Sequence, residues 1–334
     1  MNCANASREP LSPEKVRSRT LPWTNSFTAA FGEIELFRDN GLAVCAELWH
    51  GRLPRWILTI RPTPTRRPSL LKVSEAELLR DCISTALEVA HRLRLQVLYT
   101  DPLPPSAWAP FLRAGFVPSE ELVMFERRLP RFLGERKLRK ESLEGRAAAP
   151  RAVVVGQPEG EDGRRWLSLW LSPIAAIDEA AFEDFWNLAQ EGLLRAACVT
   201  QWSRFFCAIS STSDKDKPDH RHTSLHTSLN ESLGETQDSD AADSQSTVVA
   251  GYALVGAEGK TGYLQRLAVH PAFARRGIGT QLVVASIASC RQKGVRRIWV
   301  NTAARNKPAI RLYRSLGFKP LPERWRILKW NGES

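Results

Sequence analysis

The sequence predicts an α/β chain built from two similar halves. Two observations carry that expectation. A strand, a glycine-containing turn and an apolar-periodic helix follow one another between residues 264 and 290. The order helix, strand, polar turn, short helix ending in Gly-Phe, strand also occurs twice, which is the mark of a duplicated unit.

The C-terminal elements are the more informative. Leu264 to Val269 is a short apolar run and reads as a strand. Arg275-Arg276-Gly277-Ile278-Gly279-Thr280 is the turn, and Gln281 to Cys290 is the helix. Backbone N–H groups at a helix start are unpaired, and the helix dipole adds partial positive charge there. Glycines let an anion approach the main chain closely, so this turn predicts a phosphate-bearing ligand held by backbone. Gly294 follows, then a strand, Val295 to Val300, and a polar turn, Asn301 to Asn306. A short helix comes next, with Pro308 in its first turn, and Gly317 sits where a left-handed cap is expected. Asn306, Ile310 and Tyr313 fall at i, i+4 and i+7 and share one helix face. Phe318 and a strand from Trp325 to Trp330 complete the segment.

In the N-terminal half, Glu75 to Arg92 carries Leu78, Leu79, Ile83, Leu87 and Ala90 at helical spacing. The strand Leu95 to Tyr99 follows, then a proline-rich turn from Asp101 to Ser106. A short helix, Trp108 to Arg113, ends in Gly115-Phe116, opposite Gly317-Phe318 of the other half, and Leu122 to Glu126 is the next strand. This copy lacks the glycine turn. Its Val73-Ser74-Glu75-Ala76-Glu77 carries two carboxylates that would repel a pyrophosphate, and no tyrosine matches Tyr313.

The remaining parts are less specific. Residues 1–20 read as a disordered tail, 21–130 as the first domain, 131–150 as a charged linker and 151–334 as the second domain. The second domain opens with a strand near Arg151 to Val155, a helical region from Ile177 to Ala197 and a strand from Arg204 to Ile209. Residues 210–247, rich in Ser, Thr, Asp and His, have too few apolar side chains to offset ordering entropy and read as a disordered insert within a hairpin. His220, His222 and His226 in it are incidental to a polar tract.

The net charge of +11 is that of a solvated, arginine-rich surface, with acidic partners such as a phosphorylated cofactor, a ribosome surface or nucleic acid as the alternatives. No RNA-binding signature is present, so nucleic acid is not the expected partner. Six scattered cysteines without a CxxC fit a reduced cytoplasm and give no metal site. No apolar run is long enough for a bilayer, and Met1 to Arg19 does not read as a signal or transit peptide.

With these motifs in order, the chain resembles the GNAT superfamily of acetyl-CoA-dependent N-acetyltransferases. The text that carries it is Leu267-Ala268-Val269-His270-Pro271, then Arg275-Arg276-Gly277-Ile278-Gly279, then Asn306 with Ala309 to Phe318. The C-terminal motifs are most similar to ribosomal-protein alanine acetyltransferases, and the tandem layout resembles mycothiol synthase. The resemblance implies the GNAT fold, a central mixed twisted sheet flanked by helices, here in tandem with a degenerate first copy that does not bind the cofactor.

It also implies an enzyme that moves acetyl from acetyl-CoA to a primary amine, on a peptide N-terminus or a small molecule. Leu267, Ala268 and Val269 would contact the pantetheine arm and thioester through their main chain. Arg275, Arg276, Gly277, Ile278, Gly279 and Thr280 would hold the pyrophosphate, with Ala274 standing where the family has Gln or Arg. Asn306 would hydrogen-bond the pantetheine, or cap its helix. Tyr313 takes the place of the general acid, a phenol matched to protonating a departing thiolate. His270 reads as a loop residue. The base is left open, since Tyr263 and Gln265 stand where many relatives carry a carboxylate. Glu179, Glu183 and Asp184 could attract a cationic amine or simply face solvent. A non-catalytic acyl-CoA sensor and a basic ribosome- or nucleic-acid-associated protein are the competing readings.

Overall fold

The computed structural model describes residues 33–39, 42–49, 55–62, 75–130, 152–156, 160–183, 185–212 and 246–332. The tail, the charged linker, the three histidines of the insert and Asp184 lie outside them, as do Val73 and Ser74.

The N-terminal half runs β1 (Glu33–Asp39), β2 (Leu42–Trp49), β3 (Arg55–Pro62), α1 (Glu75–Arg92), β4 (Val97–Thr100), α2 (Trp108–Arg113) and β5 (Val117–Arg128). The C-terminal half runs β6 (Ala152–Gly156), α3 (Gly160–Ala181), α4 (Gln190–Cys198), β7 (Trp202–Thr212), β8 (Ser246–Glu258), β9 (Thr261–Val269), α5 (Ile278–Gln292), β10 (Arg297–Ala303), α6 (Lys307–Ser315) and β11 (Lys319–Asn331). From β7 onward this order repeats that of β1 to β5 element for element. Local devices repeat too. Gly115 and Gly317 have φ of 90° and 79° after their short helices. The next residues, Phe116 and Phe318, are both buried. Phe111, five residues before Phe116, stands where Tyr313 stands before Phe318, so the first copy has the ring without the hydroxyl.

All described strands join one sheet in the order β1-β2-β3-β4-β11-β5-β10-β9-β8-β7-β6. The last strand of each half crosses to the other. β5 pairs antiparallel with β10, from Arg297↔Arg128 to Ala303↔Leu122. β11 pairs antiparallel with β4, and β5 and β11 pair with each other. The cores follow the strands. Phe125 of β5 is buried with Tyr313, Phe318 and the inner face of α5. Leu328 of β11 is buried with Ile83, Ala86 and Leu98 of the other half.

Each half holds one parallel pair that separates after a few residues. β9 and β10 pair only from Arg297↔Thr261 to Trp299↔Tyr263. β3 and β4 pair only from Trp56↔Leu98 to Leu58↔Thr100. A register shift in the β8–β9 ladder, from Leu254↔Arg266 to Val255↔Leu264, leaves Gln265 as a bulge at the point where β9 departs from β10.

Several boundaries differ from the sequence expectation. The helical region is two helices, α3 starting well before Ile177 and α4 following a break at residues 182–189. α3 runs through Pro173, a residue that ordinarily interrupts a helix and so masks a helical start ahead of Ile177. β10 extends through Asn301 to Ala303, which the sequence assigns to a turn. Residues 210–212 and 246–247, at the ends of the insert, belong to the β7–β8 hairpin.

Candidate functional site

The glycine turn has the predicted geometry. A short 3-10 turn, Pro271–Phe273, links β9 to it and is capped by His270 Nδ1, which accepts from the Ala272 amide at 3.2 Å. His270 is buried, beside the Phe273 ring. It is therefore part of the turn's scaffold. Arg275 adopts φ of 65° and Gly277, the N-cap of α5, φ of 79°. The chain thus reverses into a left-handed conformation just before the helix. The first intrahelical bond is Gln281 N–H to Gly277 O at 3.1 Å. The amides of Ile278, Gly279 and Thr280 have no backbone acceptor among the described residues, which is the state of a helix start open to an anion. A Cβ on Gly277 would meet nothing within 4 Å, so the turn's outer face is open. The Arg276 guanidinium lies 5.2 Å from the centre of the Phe273 ring.

Beyond Tyr263 the β10-facing edge of β9 has no ladder partner, and the gap between the two strands opens into a cavity of about 430 Å³. Leu267 of β9, Asn306 and Tyr313 all line it, together with Tyr263 and Gln265. Ala268 faces the opposite way, into the core under α3. Val269 packs against the α5 core instead. Ile310 turns to a neighbouring groove with Lys307 and Arg311, so the helix face read from spacing is split between two surfaces.

Tyr313 is 5% exposed and its ring touches those of Phe125 and Phe318, at 5.9 and 5.8 Å between centroids. Its hydroxyl has no hydrogen-bond partner among the described residues. Burial raises its pKa above the usual phenol value, and the neighbouring Tyr263 adds to the rise. The proton therefore stays on the oxygen throughout the physiological range, as a donor requires. The Asn306 side chain caps α6 by accepting from the Ala309 amide at 3.2 Å. That bond uses Oδ1, and Asn306 is also one of the residues lining the cavity. Asn301 Nδ2 donates to the Tyr263 hydroxyl at 2.8 Å, and burial raises the Tyr263 pKa above its usual value, so neutral Tyr263 is a poor proton acceptor. Gln265 Oε1 is buried without a hydrogen-bond partner among the described residues.

The opposite wall is fixed by a buried ion pair that the sequence did not reveal. Asp178 of α3 is fully buried and pairs with Arg266 of β9 at 2.6 Å. The Asp178 carboxylate also accepts from the Tyr252 hydroxyl and from the Leu188 amide, the latter at 2.6 Å. Arg266 donates to the Trp186 carbonyl at 2.8 Å and lies 4.0 Å from the Phe182 ring centre. This network holds the break between α3 and α4 over the cavity, where Phe182, Trp186 and Leu188 form its apolar side. Glu179 and Glu183, the carboxylates singled out in sequence, do not line the cavity. Glu183 instead pairs with Arg305 on the surface at 2.9 Å. The buried carboxylate is their neighbour, Asp178, and it is already neutralised.

The turn, the separated strands and the tyrosine thus place an open helix start, an open strand edge and a protonated phenol in one region of the second half. Residues 202–318 match the model of the acetyltransferase (GNAT) family. The ribosomal protein bS18-alanine N-acetyltransferase of Salmonella typhimurium is 44% identical over 55 residues, covering 16% of this chain and 37% of that enzyme. The chain thus spans little more than a third of the length of the curated relative it matches. Across both halves the fold is similar to a tandem GNAT protein from the clavulanic acid biosynthesis pathway, with a TM-score of 0.52 and 15% identity, covering 89% of this chain and 82% of that one. At that identity the likeness shows a shared fold. No helix among the described residues is long and apolar enough to cross a membrane.

Proposed function

We propose that the chain transfers the acetyl group of acetyl-CoA to a primary amine. The observation that carries this reading is the placement of Tyr313, its hydroxyl protonated and without a partner among the described residues, in the lining of the same cavity as the open edge of β9. Bound acetyl-CoA would supply an activated acetyl thioester. The open amides of Ile278, Gly279 and Thr280, with Arg275, Arg276 and Gly277, fit its pyrophosphate. The main chain of Leu267, Ala268 and Val269 and the Asn306 amide fit its pantetheine arm. An unpaired N–H on the β9 edge is suited to stabilising charge on a carbonyl oxygen. As the amine nitrogen bonds to the thioester carbonyl carbon and the C–S bond breaks, Tyr313 Oη would give its proton to the departing sulfur and would be reprotonated, through water, by the proton the acylated nitrogen sheds.

The likeness to an alanine N-acetyltransferase supports a protein N-terminus as acceptor, and a small-molecule amine is the second acceptor class. An α-amine has a reference pKa of about 7.7–8.0 against about 10.4 for lysine, so more of it is neutral near pH 7 and less help is needed from a base. That matches a site in which Tyr263 and Gln265 replace a basic carboxylate.

The test is thiol release from acetyl-CoA with four amines: an alanine-initiated hexapeptide, lysine, glucosamine and spermidine. Turnover with at least one is expected, together with calorimetric heat on adding acetyl-CoA. Loss of that heat is expected when Gly277 and Gly279 are both replaced by Glu in a variant whose circular dichroism is unchanged. Absence of heat from the native protein would overturn the proposal.

A further inference from the structure

The cavity belongs to both halves. Because the last strands cross over, the diverging pair β3/β4 of the first half opens onto the same space as the diverging pair β9/β10 of the second. Glu47, Thr59 and Asp101 contribute its far polar wall. Asp101 directly follows β4, where that strand leaves β3.

The charges on this wall do not cancel. Glu47 is satisfied twice, accepting from Thr59 Oγ1 at 2.7 Å and pairing with Arg61. Across the cavity Arg266 is committed to Asp178 and to the Trp186 carbonyl. Arg195 of α4 also lines the space and has partners of its own. Asp101 alone has no hydrogen bond or ion pair among the described residues. A second acceptor in the same lining, Gln265 Oε1, is likewise without a donor. Asp101 is half-buried, and a carboxylate so placed gains by meeting a cation, while the buried Gln265 acceptor is costly without a donor. Both deficits are met by one kind of ligand group, a cationic nitrogen with several N–H donors.

We infer that the N-terminal half supplies the acceptor site, with Asp101 as the residue that binds a cationic nitrogen of the amine substrate. The inference rests on the acetyltransferase reading above. It gives the first copy a role despite its missing glycine turn: the opening that holds cofactor in the second copy takes acceptor in the first.

The protonation chemistry agrees. Burial pushes the Asp101 carboxyl up to about 6, Glu47 beside it adds to the rise, and Arg61 opposes it. The charged form, which a cation needs, is present above that pH and is lost as pH falls through it. An acid whose pKa rises on folding is most favourable to the fold below its unfolded value and becomes a burden once the pH passes its folded value. The uncompensated carboxylate therefore opposes folding at pH 8 and not at pH 4.

The experiment uses the full chain with ¹³C-carboxyl aspartate, the Asp101 resonance being assigned by its loss in Asp101→Asn. Addition of the alanine-initiated hexapeptide or of spermidine is expected to lower the Asp101 pKa by one unit or more, a tenfold preference for the charged form. With acetyl-CoA present, Asp101→Asn should raise the amine KM at least tenfold. Its calorimetric affinity for acetyl-CoA should stay within twofold of native, and Asp101→Glu should recover part of the loss. Asp101→Asn should also melt higher than native at pH 8 and not at pH 4.5, the reverse of what removing a structural contact does. The inference is overturned if neither amine moves the Asp101 titration, or if the amine KM is unchanged in a variant that still binds acetyl-CoA. Failure of acetyl-CoA to bind the native chain would sink the acetyltransferase reading instead, and the titration without cofactor would still decide the role of Asp101.

Discussion

The ring of Phe125 lies against the ring of Tyr313, 5.9 Å between centroids, although the two residues come from different halves of the chain. Phe125 arrives on β5, the strand that the first half inserts beside β10. A third contact joins the same region, since Arg127 of β5 donates to the Leu316 carbonyl at the end of α6. The residue we propose as the acid is thus positioned by the half whose sequence lacks the glycine turn.

Removing that support should be felt at both levels. Phe125→Ala is expected to destabilise the chain by about 3–5 kcal/mol in urea unfolding, the cost of a large buried aromatic. Turnover of the folded fraction should fall because Tyr313 loses its lateral contact, while Phe125→Leu should retain most of both.

Tyr313→Phe separates chemistry from packing. The ring and its contacts persist, so the urea midpoint should stay near native. The expected loss is in kcat, by roughly 10²–10⁴-fold if the hydroxyl is the acid. The direction of the pKa adds a constraint. A phenol raised above its usual value of about 10 keeps its proton at pH 9. A pH–rate profile whose alkaline limb falls below pH 9 by loss of the Tyr313 proton would contradict this assignment.

The Asp178–Arg266 pair should be strongly destabilising to break. Asp178→Ala leaves a guanidinium in a site where its side chain is 9% exposed, and breaking such pairs costs about 3–5 kcal/mol. The double replacement Asp178→Leu with Arg266→Met is expected to regain much of that stability in the same unfolding measurement. Its amine KM should remain raised, because the 182–188 segment loses the bonds that hold it over the cavity.

Gly256 is required by a close approach. A Cβ there would lie 2.1 Å from Thr200 Oγ1 and 2.6 Å from Gln265 Nε2. Gly256→Ala should therefore cost about 1–3 kcal/mol through overpacking, and it should displace Gln265 from the cavity wall. Adding Thr200→Ala should relieve part of the thermal destabilisation, read as a recovery in melting temperature.

The sequence by itself determined the parts whose signals are local. The glycine turn, the helix face of α5, the cap at Asn306 and the Gly-Phe endings depend on residues within a few positions of one another, where backbone stereochemistry and helical spacing act directly. They were legible enough to single out Tyr313 and to show that the first copy has no matching tyrosine, while the structure identified Phe111 as the residue in its place. Only the tertiary structure decided that β5 and β11 change places, that Asp178 and Arg266 form a buried pair across 88 positions, and that Asp101 opens onto the same cavity as Tyr313. Strand pairing between distant segments leaves no period in the sequence, and a lone aspartate reads as surface until its surroundings are known. Its desolvation, and its lack of a partner among the described residues, are properties of the packed neighbours, and those neighbours come from both halves of the chain.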